Sequence, residues 1–202
     1  MTFLAQVDFS NVPRVPDYPA TGVLQFFIGR DIYFGADFNH PEKGSFRVIW
    51  RESFVGKGNL RFGKSHDKNG MDVYSPIAGD TVARGIKLEG KRVMHEPSID
   101  SWLFRRDLAN IASSTGRGTV NALVQARFTD RPEHHHIGGH PVFTQDDWRG
   151  ERRYHGVDRV LLNLWSDDHI MWGDAGQGQF LIRREDLLKR DFSRVFYRWD
   201  SG

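Results

Sequence analysis

The sequence predicts a mainly β fold, α+β in detail, in which antiparallel strands are joined by a few helices. Three observations predict it. Short runs rich in Phe, Ile, Val and Tyr recur between Gly and Pro punctuation, and such side chains suit a pleated, half-buried surface. Helical periodicity is confined to a central stretch and a short one near the C-terminus. At 202 residues, with 39% hydrophobic and 13% aromatic content, the chain can bury one sizeable core or two small ones.

The strands read in order as residues 3–9, 22–28, 32–34 and 46–50, separated by Pro13, Pro16, Pro19, Gly29 and Pro41. In the last of these, Phe46, Val48 and Trp50 alternate with Arg47 and Ile49, which gives one buried face. Residues 59–62 and 71–74 flank a polar loop whose Asn69-Gly70 suits a turn. From Ser98 the period becomes helical. Ser98 or Asp100 can cap the start, Trp102, Leu103, Leu108, Ile111 and Ala112 form the apolar stripe, and Gly116 and Gly118 end it. The following Ser-Thr-Gly-Arg-Gly run lacks the Gly-Lys-Ser/Thr of a phosphate loop and reads as a helix exit.

Strands return at residues 160–165 and 179–182, a short helix follows around 185–190, and residues 195–199 close the chain. A weak internal echo joins the two ends. Leu4-Ala-Gln-Val-Asp and Gly22-Val-Leu-Gln-Phe-Phe-Ile are matched by Leu162-Asn-Leu-Trp-Ser-Asp and Gly178-Gln-Phe-Leu-Ile, as a duplicated strand pair would leave. We read residues 1–202 as a single domain with N-terminal strands (1–55), a variable middle with one helix (56–133) and a characteristic C-terminal part (134–202).

Charge and composition exclude several function classes. Basic and acidic residues nearly cancel, 28 against 26, so no general nucleic-acid affinity is expected. The absence of cysteine excludes disulfides, thiol catalysis and thiolate zinc sites. The first residues carry no basic leader, and no run reaches the roughly 20 apolar residues that cross a bilayer. The expectation is a cytoplasmic protein with no membrane partner.

The last third carries a family pattern. A loop, His136-Ile-Gly-Gly-His-Pro-Val-Phe-Thr-Gln-Asp-Asp, leads to Val160-Leu-Leu-Asn-Leu-Trp-Ser-Asp-Asp, then Ile170-Met-Trp-Gly-Asp-Ala-Gly, and finally Arg190-Asp-Phe-Ser-Arg-Val-Phe-Tyr-Arg-Trp-Asp. In order and spacing this resembles the YwqG-like bacterial proteins. The resemblance implies a mainly β, roll-like fold and no settled activity. It also implies an earlier Gly-Gly-x-Pro loop before the first strand, which this sequence does not carry, and Asn163 and Trp165 stand where relatives often have Gln and Ile.

Two groups of residues could carry function. His134-His-His-Ile-Gly-Gly-His, with downstream acids and His155, is the most metal-like group, and His136, His140, Asp146 and His155 are its candidate ligands. Gly138, Gly139 and Pro141 make a helix there improbable, so chelation by an i, i+4 pair is disfavoured. The second group, Trp148, Arg149, Arg152, Tyr154, Asn163, Trp165, Trp172 and Asp174, offers aromatic and polar contacts to a ligand or partner, although such tryptophans more often pack a core. No nucleophile with its own base emerges, so no catalytic residue is assigned and no cofactor is expected. The leading expectation is a cytoplasmic binding protein with a protein partner, toxin-neutralising by analogy with accessory bacterial genes. The alternative is a metal-dependent hydrolase or small-ligand binder using the loops 134–155 and 167–174.

Overall fold

The computed structural model describes residues 1–53, 74–78, 85–98, 101–115 and 134–202. Among the described residues, six strands form two antiparallel three-stranded sheets. β1 (Thr2–Asp8), β2 (Val23–Ile28) and β3 (Phe46–Arg51) make the first, and β4 (Val157–Trp165), β5 (Gln177–Arg183) and β6 (Phe196–Asp200) the second, each in chain order. The α-helices among the described residues are α1 (Trp102–Thr115) and the short α2 (Arg184–Leu188). The fold is mainly β with few helices, as the sequence predicts.

The two sheets share one register. Gln6 pairs with Gln25, and Asn163 with Gln179. A bulge interrupts β1 between Phe3 and Ala5, and its counterpart interrupts β4 between Val160 and Leu162. Past the strand ends the likeness continues, for the Phe9 amide donates to the Gly22 carbonyl at 3.0 Å and the Ser166 amide to that of Gly176 at 2.9 Å. The sequence echo is therefore a structural equivalence in which Gln6 matches Asn163, Gln25 matches Gln179 and Phe26 matches Phe180.

Alternation along each strand sends one face of both sheets into a common core. Leu24, Phe26, Ile28, Phe180 and Ile182 are fully enclosed there with Leu161, Trp172 and Tyr197. The equivalent rings of Phe26 and Phe180 meet across the middle at 4.9 Å. Each such side chain contributes about 1.5–3 kcal/mol by leaving water, so this shared face joins the halves. A smaller cluster, Val157, Val160, Leu181, Phe196 and Tyr154, lies on the outer face of the second sheet.

The structure corrects one local expectation. Residues 32–34 form a turn, because the Asp31 carboxylate accepts the amides of Tyr33 at 2.9 Å and Gly35 at 3.1 Å and draws the chain out of extension. Helix α1 takes an acceptor for its first amide from far away: the Trp102 N–H donates to Asp147 Oδ2 at 2.9 Å across 45 residues. The expected strands at 59–62 and most of 71–74, and the helix-exit run beyond Thr115, lie outside the described residues.

Candidate functional site

The segment Pro141–Gln145 forms a strap over the outer face of the second sheet. Pleating and register place His136, Asn163, Gln179 and Arg198 in one cross-strand row on that face. The Gln177 and Gln179 amides both donate to the Val142 carbonyl, and Asp200 Oδ2 accepts from the Thr144 amide at 3.0 Å. The Gln145 side chain closes the strap on the Ser201 carbonyl at 3.0 Å. Beneath the strap, both amide atoms of Asn163, Gln177 Oε1, Gln179 Oε1 and Asp200 Oδ1 are buried without a hydrogen-bond partner among the described residues, as is the Nε2 of His136 beside it. Such a concentration of unpaired polar atoms is uncommon in a core and marks the face as polar by construction.

Burial pushes the Asp200 carboxyl above its ordinary range, against the opposing pull of the Thr144 and Gln145 amides. A carboxyl whose folded-state pKa is raised holds back stability once pH climbs through that pKa, and the deficit is absent where both states are protonated. Asp200→Asn keeps an acceptor for the strap and removes the charge. It should therefore be at least as stable as wild type at pH 7, with the advantage vanishing as pH falls below the ordinary carboxyl value of 3.8. Asp200→Ala should lose about 1–3 kcal/mol at either pH because both strap amides are orphaned. Urea unfolding at the two pH values checks this, and an Asn variant weaker than wild type at pH 7 would contradict it.

The strap continues into two 3₁₀ turns, Trp148–Gly150 and Arg152–Tyr154. Arg149, nominated from the sequence for ligand or partner contact, is 1% exposed. Its Nη2 lies 2.6 Å from Asp147 Oδ2, its Nη1 donates to the Val157 carbonyl at 3.1 Å, and its guanidinium sits over the Phe143 ring at 4.9 Å. Tyr154 is also buried, with its hydroxyl donating to the Asn39 carbonyl at 3.0 Å, and half-buried Trp148 packs edge-on to it. Trp165, Asn163 and Trp172 are buried as well. Of the eight residues nominated for partner contact, Arg152 and Asp174 are exposed.

The histidines gather beside the strap. His136 pairs with Asn163 along the open edge of β4, and Gly138, at φ 68°, presses against Val15 where a Cβ would come within 2.6 Å of its side chain. His95, from the segment 85–98, packs over Gly139, and its Nδ1 accepts the His140 amide at 2.9 Å. His95, His134 and His136 each bring a ring nitrogen to within 4.8 Å of the others. Burial, reinforced by the neighbouring imidazoles, pushes the His95 pKa down to about 4, and burial also lowers that of His136.

Of the four sequence-nominated metal ligands, His136 belongs to this group and His140 adjoins it through its backbone. Asp146 lies exposed just past the strap, while His155 stacks on Trp102 at 4.3 Å. His95 and His134 complete the group. His134 was visible in the histidine run, whereas His95 stands in a segment with no motif or periodicity to announce it. The loops 134–140 and 167–174 do touch, through His135 Nε2 and Asp167 Oδ2 at 3.0 Å.

Fold and site together define a mainly β protein made of two equivalent antiparallel sheets, one of them strapped. The chain belongs to the family described as a domain of unknown function, DUF1963, which matches residues 1–201. No curated protein matches it. Among the described residues, no helix is long and apolar enough to cross a membrane.

Proposed function

We propose that this protein is a non-catalytic binding module that holds an extended, acidic segment of a partner protein on the outer face of its first sheet. One observation carries the reading: equivalent positions on the two outer faces differ in exposure. Asn163, Phe196 and Asp200 are 0%, 5% and 9% exposed under or beside the strap, whereas their counterparts Gln6, Arg47 and Arg51 are all exposed. Phe3 and Phe27 meet edge-on at 5.6 Å on that open face and offer an apolar anchor. Arg47 and Arg51 flank it with guanidinium groups suited to carboxylates, and Arg51 already fixes the Gln25 amide at 3.2 Å.

The motif pattern supports placing the protein among YwqG-like bacterial proteins, cytoplasmic and directed at a protein rather than nucleic acid. Within that setting the partner is a toxin-like product of a neighbouring gene, and binding neutralises it. A second reading, a metal-dependent hydrolase, draws on the His135 to Asp167 contact that joins the two loops. It requires an ion, for which the adjacent imidazoles are the donor set.

Calorimetry with the purified neighbouring product tests the leading reading. Phe27→Asp and Arg51→Glu should each weaken binding tenfold or more while circular dichroism shows the fold retained, and Arg152→Glu, on the exposed turn after the strap, leaves binding intact. Binding indifferent to both face variants, or no binding and no protection by the wild type, would remove the proposal.

A further inference from the structure

We infer that His95, His134 and His136 form a binding site for one divalent first-row transition ion, zinc or copper, through three imidazole nitrogens with a fourth position open to solvent. The inference is independent of the partner-binding face. Its donors are drawn from two separated segments, 85–98 and 134–140, and they converge to within 4.8 Å. Three imidazoles in a chain without cysteine match the borderline ions that prefer nitrogen, and a three-histidine set leaves a coordination position for water.

The tautomer of His136 is decisive. Its Nδ1 lies 3.1 Å from the His134 carbonyl, which only accepts, so Nδ1 carries the proton and the lone pair sits on Nε2. That Nε2 is buried without a hydrogen-bond partner. A ring oriented by a backbone carbonyl through one nitrogen, with the other left bare, is the arrangement that metal-ligating histidines adopt. A purely structural histidine gains nothing from burying an unpaired acceptor.

His95 stands in a different state. Its Nδ1 accepts the His140 amide, so the neutral ring holds its proton on Nε2, also buried and unpartnered. Coordination through Nε2 requires the ring proton to move to Nδ1, where it opposes the His140 amide, and coordination through Nδ1 displaces that amide directly. Either event makes binding weaker than at three bare nitrogens. His134 is exposed and gives the hydrated ion its approach, with ring centroids 5.8 Å and 5.7 Å from those of His95 and His136. A bound ion would tie the segment 85–98 to the strapped sheet, adding to the contact of His95 with Gly139.

The test uses the full chain freed of any affinity tag, titrated with zinc chloride in a calorimeter and with cobalt(II) followed by visible absorption. The expected result is one ion per chain, the intense bands of four-coordinate cobalt, and a melting temperature raised by roughly 5–10 °C at a hundredfold excess over Kd. His95→Gln and His136→Gln should each weaken binding tenfold or more, while His155→Gln does not. Because the His136 pairing with Asn163 is made by backbone atoms and His95 lies outside both sheets, these variants retain the fold, which circular dichroism verifies. No saturable binding by the wild type, or binding that survives His95→Gln or is lost with His155→Gln, would overturn the site.

Discussion

Arg149→Ala is expected to lower the unfolding free energy by about 3–5 kcal/mol, the range for removing one partner of a buried ion pair. For a chain of this size that corresponds to a fall in melting temperature of roughly 6–20 °C. Side chains of Arg149 and Asp147 are each 2% exposed, so the variant leaves a carboxylate out of water with no cation to compensate it. The guanidinium also releases the Val157 carbonyl and the Ser101 hydroxyl, which it holds at 3.1 and 3.3 Å. Asp147 in turn accepts the first amide of α1, so loosening it should free the helix start before the sheets yield. Hydrogen exchange would show faster amides in residues 102–111 than in β4 and β5. Arg149→Lys should recover only part of the loss, because an ammonium cannot reproduce the two-pronged contact with Asp147. A loss below about 1 kcal/mol for the Ala variant would mean that water reaches the pair and that the ion pair does not anchor the strap.

That arginine also shows where a sequence stops being legible. Strand composition, Gly and Pro punctuation and the short echo foretold two strand pairs, because those signals act locally and the pleat translates them directly. The echo even fell on the equivalent residues, Gln25 with Gln179 and Phe26 with Phe180. The matched bulges opposite Phe26 and Phe180 left no such mark, since an extra strand residue has no characteristic side chain. Arg149 was offered as a contact to a ligand or partner, yet a 3₁₀ turn places it inward against Asp147. The tryptophans were offered as a contact surface, but Trp165 and Trp172 are buried. His136 could be picked out from its loop, whereas His95 reaches it only through the packing of a segment that carries no pattern. Local chemistry thus specified the elements, and tertiary packing decided which side chains meet.

Trp172→Ala should match the arginine variant in size, at about 3–5 kcal/mol. Trp172 has no exposed surface, and its ring lies edge-to-face with Phe34 at 5.8 Å and near Tyr197 at 6.5 Å. Below it is Gly178, where an added Cβ would come within 2.7 Å of Trp172 Cε2, so the ring packs directly on the backbone of β5. The cavity left by Ala therefore opens beside the central strand of the second sheet, where rigid backbone collapses poorly. Trp172→Phe should lose roughly half as much, because the indole Nε1 is buried without a partner and its removal offsets part of the lost volume. The contact predicts a coupling as well. Gly178→Ala alone should be strongly destabilising, and Trp172→Ala should relieve much of that penalty, so the double variant is more stable than the sum of the two losses allows. Additive losses in denaturant unfolding would show that the ring does not rest on Gly178, and the closure of the core over β5 would then have to come from Phe34 and Tyr197 alone.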